Sequence, residues 1–183
     1  MFRIVAVIAV AIFVSSFGQA LAQDSAQRTR DLVASLDKTK YKKKEKANIS
    51  IEVFVDIKNE AVTKNDRSEY SGTYETDGYK LDLRVATDGS TTGSGFDSFA
   101  NGDKPANFTL KNAKIEGALL TATKVYDNGK EQPLEAVFVN RNARAGSNPK
   151  VVSVDVTQFG LGFIQTASDA NDSWTNRVFL EKK

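Results

Sequence analysis

The chain has 183 residues, with 25 Lys and Arg against 23 Asp and Glu, and it contains neither His nor Cys. The missing types exclude a Ser-His-Asp triad, a thiol nucleophile, a zinc site of the usual ligands, c-type haem attachment and any disulfide framework. A net charge of +2 gives no global attraction to nucleic acid, and the chemistry left is carboxylate acid–base work, oxygen ligation of calcium or magnesium, a Lys or Tyr site, or binding alone.

Residues 1–22 have the three parts of a signal peptide: Arg3, an apolar run from Ile4 to Val14, and small residues at the cleavage point in Ala20-Leu21-Ala22. The run is shorter than the roughly 20 residues that cross a bilayer, and Gln23, Asp24 and Ser25 add no basic flank. Cleavage near Ala22, a periplasmic or secreted product and no membrane span are the expectation. Removing residues 1–22 from 183 leaves 161, and the loss of Arg3 takes the net charge from +2 to +1. A chain of this size folds as one domain that buries about 70% of its unfolded surface.

From Ser25 to about Lys46 the composition is helix-forming, with Leu32, Val33 and Leu36 as its apolar patch. Its second half, Lys38 to Lys46, carries six lysines around Tyr41 and Glu45. That is basic enough for contact with anionic lipid or a polyanion, or it is simply a solvated helix end. Ile49, Ile51, Val53, Val55 and Ile57 then alternate with polar residues, the pattern of a strand, and its long edge invites pairing with a partner's sheet. Asn59 to Glu69 reads as a connection, which sets off residues 23–69 from a β domain over 70–183.

In that domain Tyr70–Glu75 precedes a strand with Tyr79, Leu81, Leu83 and Val85 on one face, and Asp88-Gly89 is a hairpin signal. Gly93 and Gly95 thin the next strand where another backbone comes close. Phe108 and Leu110 mark a further strand, Ile115–Tyr126 another, and Asp127-Asn128-Gly129 turns into Leu134–Asn140. Arg141–Pro149 has loop composition. Val151–Val156, Phe159–Gln165 and Trp174–Glu181 close the chain. About eight strands without helical crossovers predict a mainly β fold: an antiparallel up-and-down barrel or a β-sandwich, preceded by one N-terminal helix.

Ser71-Gly72-Thr73-Tyr74, followed by Leu81, Leu83, Val85, Asp88-Gly89, Gly93 and Gly95, resembles the opening two strands of avidin-like and other calycin-type small barrels, over about residues 71–95. The mature chain as a whole is similar to uncharacterised exported β-rich proteins of bacteria. The resemblance implies a calycin-like barrel. It does not imply biotin binding, since avidin-type sites use several tryptophans and Trp174 stands alone; lipocalin-like barrels also place their helix after the strands.

Oxygen ligands gather at Asp77-Gly78 with Asp82, at Asp97–Asp103, and at Asp169–Ser173, where Asp169, Asn171 and Asp172 are the best metal candidates. The spacing of an EF-hand is absent, so a simple turn is the alternative. Eight strands enclose either a filled interior or room for one small ligand; Tyr74, Phe138 and Trp174 are the candidate ligand-binding aromatics. For acid–base chemistry the available parts are Glu116, Glu131 and Glu135 with Lys114 and Lys124, which read as polar-face residues on strands. Asn48, Asn107 and Asn171 open N-x-S/T patterns, which matter only in a glycosylating host. The expected function is an exported, non-enzymatic binding module that needs no cofactor and takes an unknown ligand, with a small apolar molecule in the barrel interior as the candidate. The alternative is an envelope-associated protein that docks on a partner through its N-terminal helix and Lys-rich segment.

Overall fold

The computed structural model describes residues 24–46, 49–98, 105–148, 152–168 and 173–183. The repeating unit is visible in Tyr79–Val85, where Tyr79, Leu81, Leu83 and Val85 are buried and Lys80, Asp82 and Arg84 face outward. Apolar-in and polar-out is the reverse of the pattern on a membrane-spanning barrel. Among the described residues no helix is long and apolar enough to cross a membrane.

Among the described residues ten strands form one antiparallel sheet. Eight of them, β3 (Gly72–Thr76), β4 (Tyr79–Val85), β5 (Thr91–Asp97), β6 (Ala106–Glu116), β7 (Leu119–Tyr126), β8 (Glu131–Asn148), β9 (Val152–Ser168) and β10 (Ser173–Lys182), run up and down in chain order. The circle closes where Glu181 and Lys182 of β10 pair with Glu75 and Tyr74 of β3, and Lys183 N–H donates to Thr73 O at 2.9 Å. The turns at Asp88-Gly89 and Asp127-Asn128-Gly129 stand where the sequence puts them, with Gly89 and Gly129 at φ 87° and 80°. Gly95 also meets its expectation: a Cβ there would lie 2.1 Å from Lys80 O, so only glycine lets β5 pass so close to β4.

β1 (Lys38–Lys46) and β2 (Ile49–Ala61) lie outside the closed circle. β8 is long enough to serve both parts. Glu131–Val137 pairs with β7, and Val139–Asn148 pairs with Ala61–Glu52 of β2 while β9 runs along its other side. The result is a four-stranded ribbon, β1-β2-β8-β9, that extends from the barrel wall.

A helix, α1, spans residues 24–36 and lies on the outside of the barrel. Leu32, Val33 and Leu36 cover Val137, Val139 and Ala118, and Gly162 leaves the space that Leu36 fills. Arg28 donates to Glu135 at 2.5 Å, Arg177 Nε donates to Ser35 O at 2.6 Å, and Asn59 N–H donates to Asp37 at 2.8 Å. These three contacts hold α1 at its middle and at its end.

Five expectations are corrected. The helix stops at Leu36 and Lys38–Lys46 is a strand, because pairing with the aliphatic row of β2 outweighs the helix propensity of lysine. Arg141–Asn148 is strand rather than loop, held between β2 and β9. The run Ile115–Tyr126 is broken by a turn at Gly117 (φ 59°), and 152–168 is one strand. Finally, β2 has no free edge, since β1 and β8 flank it. The motive for a partner's strand adding there disappears, and the free edge passes to lysine-rich β1.

The barrel interior is packed. Phe138 stacks on Tyr70 at 4.0 Å between ring centroids and sits 5.9 Å from Tyr74, with Leu81, Leu83, Leu120, Leu161 and Leu180 fully buried around them. The Tyr70 hydroxyl lies 3.0 Å from Val62 O and 2.9 Å from Gly117 O, and accepts from Lys64 N–H at 2.8 Å. That one phenol ties the end of β2 to the β6–β7 turn.

Candidate functional site

The other end of the interior is polar. β7 places Lys124 on the same face as Leu120 and Tyr126, so its side chain enters the core and is 2% exposed; Asp97, at the end of β5, is fully buried. Lys124 Nζ lies 3.3 Å from Asp97, which also accepts from the Tyr126 hydroxyl at 3.0 Å and from Gln165 Nε2 at 3.2 Å. The rings of Tyr79, Phe108 and Tyr126 surround the ammonium with centroids at 5.3–5.7 Å. Desolvation holds the Lys124 pKa below its ordinary value, with the Asp97 charge opposing. The arrangement is that of a buried ion pair inside an aromatic cage.

Burial also raises the pKa of Tyr70, Tyr74, Tyr79 and Tyr126. The fold holds their neutral forms, so the stability they contribute is complete below the unfolded value of 10.0 and is lost as pH rises above it. Lys124 works in the opposite direction: the cost of burying its cation fades as pH rises from its lowered value toward 10.5. One lysine does not offset four phenols. On alkaline titration the four are expected to ionise in a single cooperative step that coincides with loss of the β-sheet circular dichroism signal. The chain has a fifth tyrosine, Tyr41, so gradual phenolate absorbance of more than one tyrosine's amplitude near pH 10 in a folded protein would contradict their burial.

The other carboxylates and lysines named from the sequence have ordinary roles. Glu135 holds α1 through Arg28, Glu131 pairs with Lys111 at 3.2 Å, and Glu116 pairs with Lys114. Asp82 accepts from Thr73 Oγ1 at 2.6 Å. Lys124 is the correction among them, since the core takes it instead of the polar face. Tyr74 and Phe138 do come together, but in the packed core, where Tyr74 donates to Tyr70 O at 2.6 Å. Trp174 sits opposite Ala167 in the β9–β10 hairpin, beyond the described side chains. Asp169, Asn171 and Asp172 lie outside the described residues, as do Asp103 and Asn48; among the described residues no group of three acidic side chains is close enough to hold a metal.

Two features of the described outer surface bear on function. The first is one face of the ribbon. Cross-strand partners share a face, so the register places positions 38, 40, 42, 44 and 46 of β1, all lysine, beside positions 57, 55, 53, 51 and 49 of β2, all Ile or Val. Ala143 and Ala145 of β8 and Val154 and Val156 of β9 continue that face. Val156 is 41% exposed, Ala145 is exposed, and Val55 and Ile57 are half-buried. The opposite face carries Asp56, Asn142, Arg144 and Thr157 in the same register.

The second is a cleft of about 260 Å³ where the end of α1 meets the ribbon and β10, lined by Leu36, Lys38, Ile57, Arg141, Arg177 and Phe179 among others. The Arg141 guanidinium lies 4.8 Å from the centre of the Phe179 ring, and its Nε is buried without a hydrogen-bond partner. Desolvation alone lowers the Arg141 pKa. The lysines of Lys38–Lys46 were legible in the sequence as a candidate anionic contact, but their aliphatic neighbours and the cleft were not. No protein family, curated protein or solved structure matches the chain.

Proposed function

We propose that the chain is an exported, non-enzymatic interaction module that rests its ribbon face on an anionic lipid surface of the cell envelope. The observation that carries this reading is the register that sets five lysines along a free edge beside an aliphatic row. Aliphatic side chains suit the acyl boundary and lysines suit the headgroups, a combination that an acidic protein surface alone does not call for. Lysines on an exposed edge also block strand addition, which accounts for one property of the segment but not for the apolar row beside it. The apolar face of α1 is consumed in packing against the barrel, so docking falls to β1 rather than to the helix. Tyr70, Tyr74 and Phe138 pack against one another in the barrel core, which favours the ribbon face over a small apolar ligand in the interior.

The test is co-sedimentation with phosphatidylglycerol–phosphatidylcholine vesicles against pure phosphatidylcholine. Binding is expected to the anionic vesicles only, and to weaken as salt rises. Each lysine contributes about 1 kcal/mol at such a surface, so the triple substitution Lys40→Gln, Lys42→Gln, Lys44→Gln reduces partitioning about 10²-fold with little change in Tm. Equal binding of variant and wild type would reject the proposal.

A further inference from the structure

The cleft beside α1 combines features that a folding role alone does not explain. Arg141 is half-buried, and among the described residues it has no carboxylate partner; its contacts are the Phe179 ring and a buried Nε left unpaired. A desolvated guanidinium without a counter-ion costs stability. Arg177 and Lys38 add two further cations to the same walls, Arg177 with its Nε engaged by Ser35 O. The adjacent carboxylate of Asp37 is occupied by the backbone and amide of Asn59 and by Lys58 at 3.4 Å. Leu36, Ile57 and Phe179 give the walls an apolar strip beside the polar Asn59, Thr175 and Asn176. Glycine at position 160 leaves room for the close approach of β10, since a Cβ there would lie 2.2 Å from Leu180 O and 2.7 Å from the Phe179 ring.

We propose that this cleft binds the head of one small amphiphilic anion, a carboxylate or phosphate against Arg141 with its short apolar body along Ile57 and Leu36. The volume is at the lower end for ligand sites, which limits the occupant to a short chain or a headgroup. The inference does not depend on the lipid-docking proposal, because a free amphiphile satisfies it equally.

The experiment is calorimetric titration of the full protein with octanoate and with inorganic phosphate, and vesicle co-sedimentation, for wild type, Arg141→Met and Lys38→Gln. Saturable octanoate binding that falls at least tenfold in Arg141→Met, and several-fold in Lys38→Gln, supports a free amphiphile. Loss of anionic-vesicle binding in Arg141→Met, without any octanoate binding, supports a lipid headgroup as the source. Without ligand, Arg141→Met is expected to have a Tm equal to or above that of wild type, the sign of a residue kept for binding rather than for folding. Lys38 stands on the exposed edge, so its variant keeps the test decisive if Arg141→Met folds poorly. Phosphate binding without octanoate binding would overturn the amphiphile. Binding of octanoate and vesicles unaffected by both variants, or no saturable binding by any probe, would overturn the site.

Discussion

Asp97→Asn is expected to destabilise the protein by about 3–5 kcal/mol, because it leaves the Lys124 ammonium buried without its counter-charge. The pair is 3.3 Å apart with 2% and 0% of the side chains exposed, so water cannot take over the lost interaction. Domains of this kind have a total stability of about 5–15 kcal/mol, and at about 2–4 °C per kcal/mol the Tm falls by roughly 10 °C. The double variant Asp97→Asn, Lys124→Met removes both charges and is expected to regain most of the loss, since an apolar replacement of a buried pair is often neutral or better. Urea unfolding of the four members of the cycle measures the coupling. A single Asp97→Asn variant within about 0.5 kcal/mol of wild type, the range of an ordinary surface change, would show that water reaches Lys124 and that this end of the barrel is open.

Phe138→Ala is expected to cost a similar amount, about 3–5 kcal/mol, for a different reason. The ring is fully buried, stacked on Tyr70 at 4.0 Å and 6.4 Å from Phe159, and neighbours held in closed strands cannot collapse into the space it leaves. The hole would be apolar and dry, so benzene should raise the Tm of the variant and leave wild type unchanged. A cost below about 1 kcal/mol, or stabilisation of wild type by benzene, would contradict a filled barrel.

The local signals carried the barrel. The alternation of Tyr79–Val85 and the turns at Asp88-Gly89 and Asp127-Asn128-Gly129 depend on neighbours in sequence, and each stands where it was expected. The misread segments depend on partners far along the chain. Lys38–Lys46 has helix-forming residues, and only its register against Ile49–Ile57 makes it a strand. Arg141–Asn148 is polar on one face and alanine-rich on the other, and it is extended because β2 and β9 hold it. Lys124 shares the parity of Leu120 and Tyr126, which marked it as inward, but its charge argued for solvent until Asp97, 27 residues away, is seen to meet it. Arg141 gave no signal at all, since the cleft is assembled from α1, β1, β2, β8 and β10.

The most direct measurement of the docking account asks which face of the ribbon meets the membrane. The chain has no cysteine, so Val156→Cys and Thr157→Cys each accept one environment-sensitive dye, on opposite faces of β9. On phosphatidylglycerol-containing vesicles, a blue shift at position 156 with none at 157 is the result the account predicts. A shift of equal size at both positions, or at neither, would contradict it.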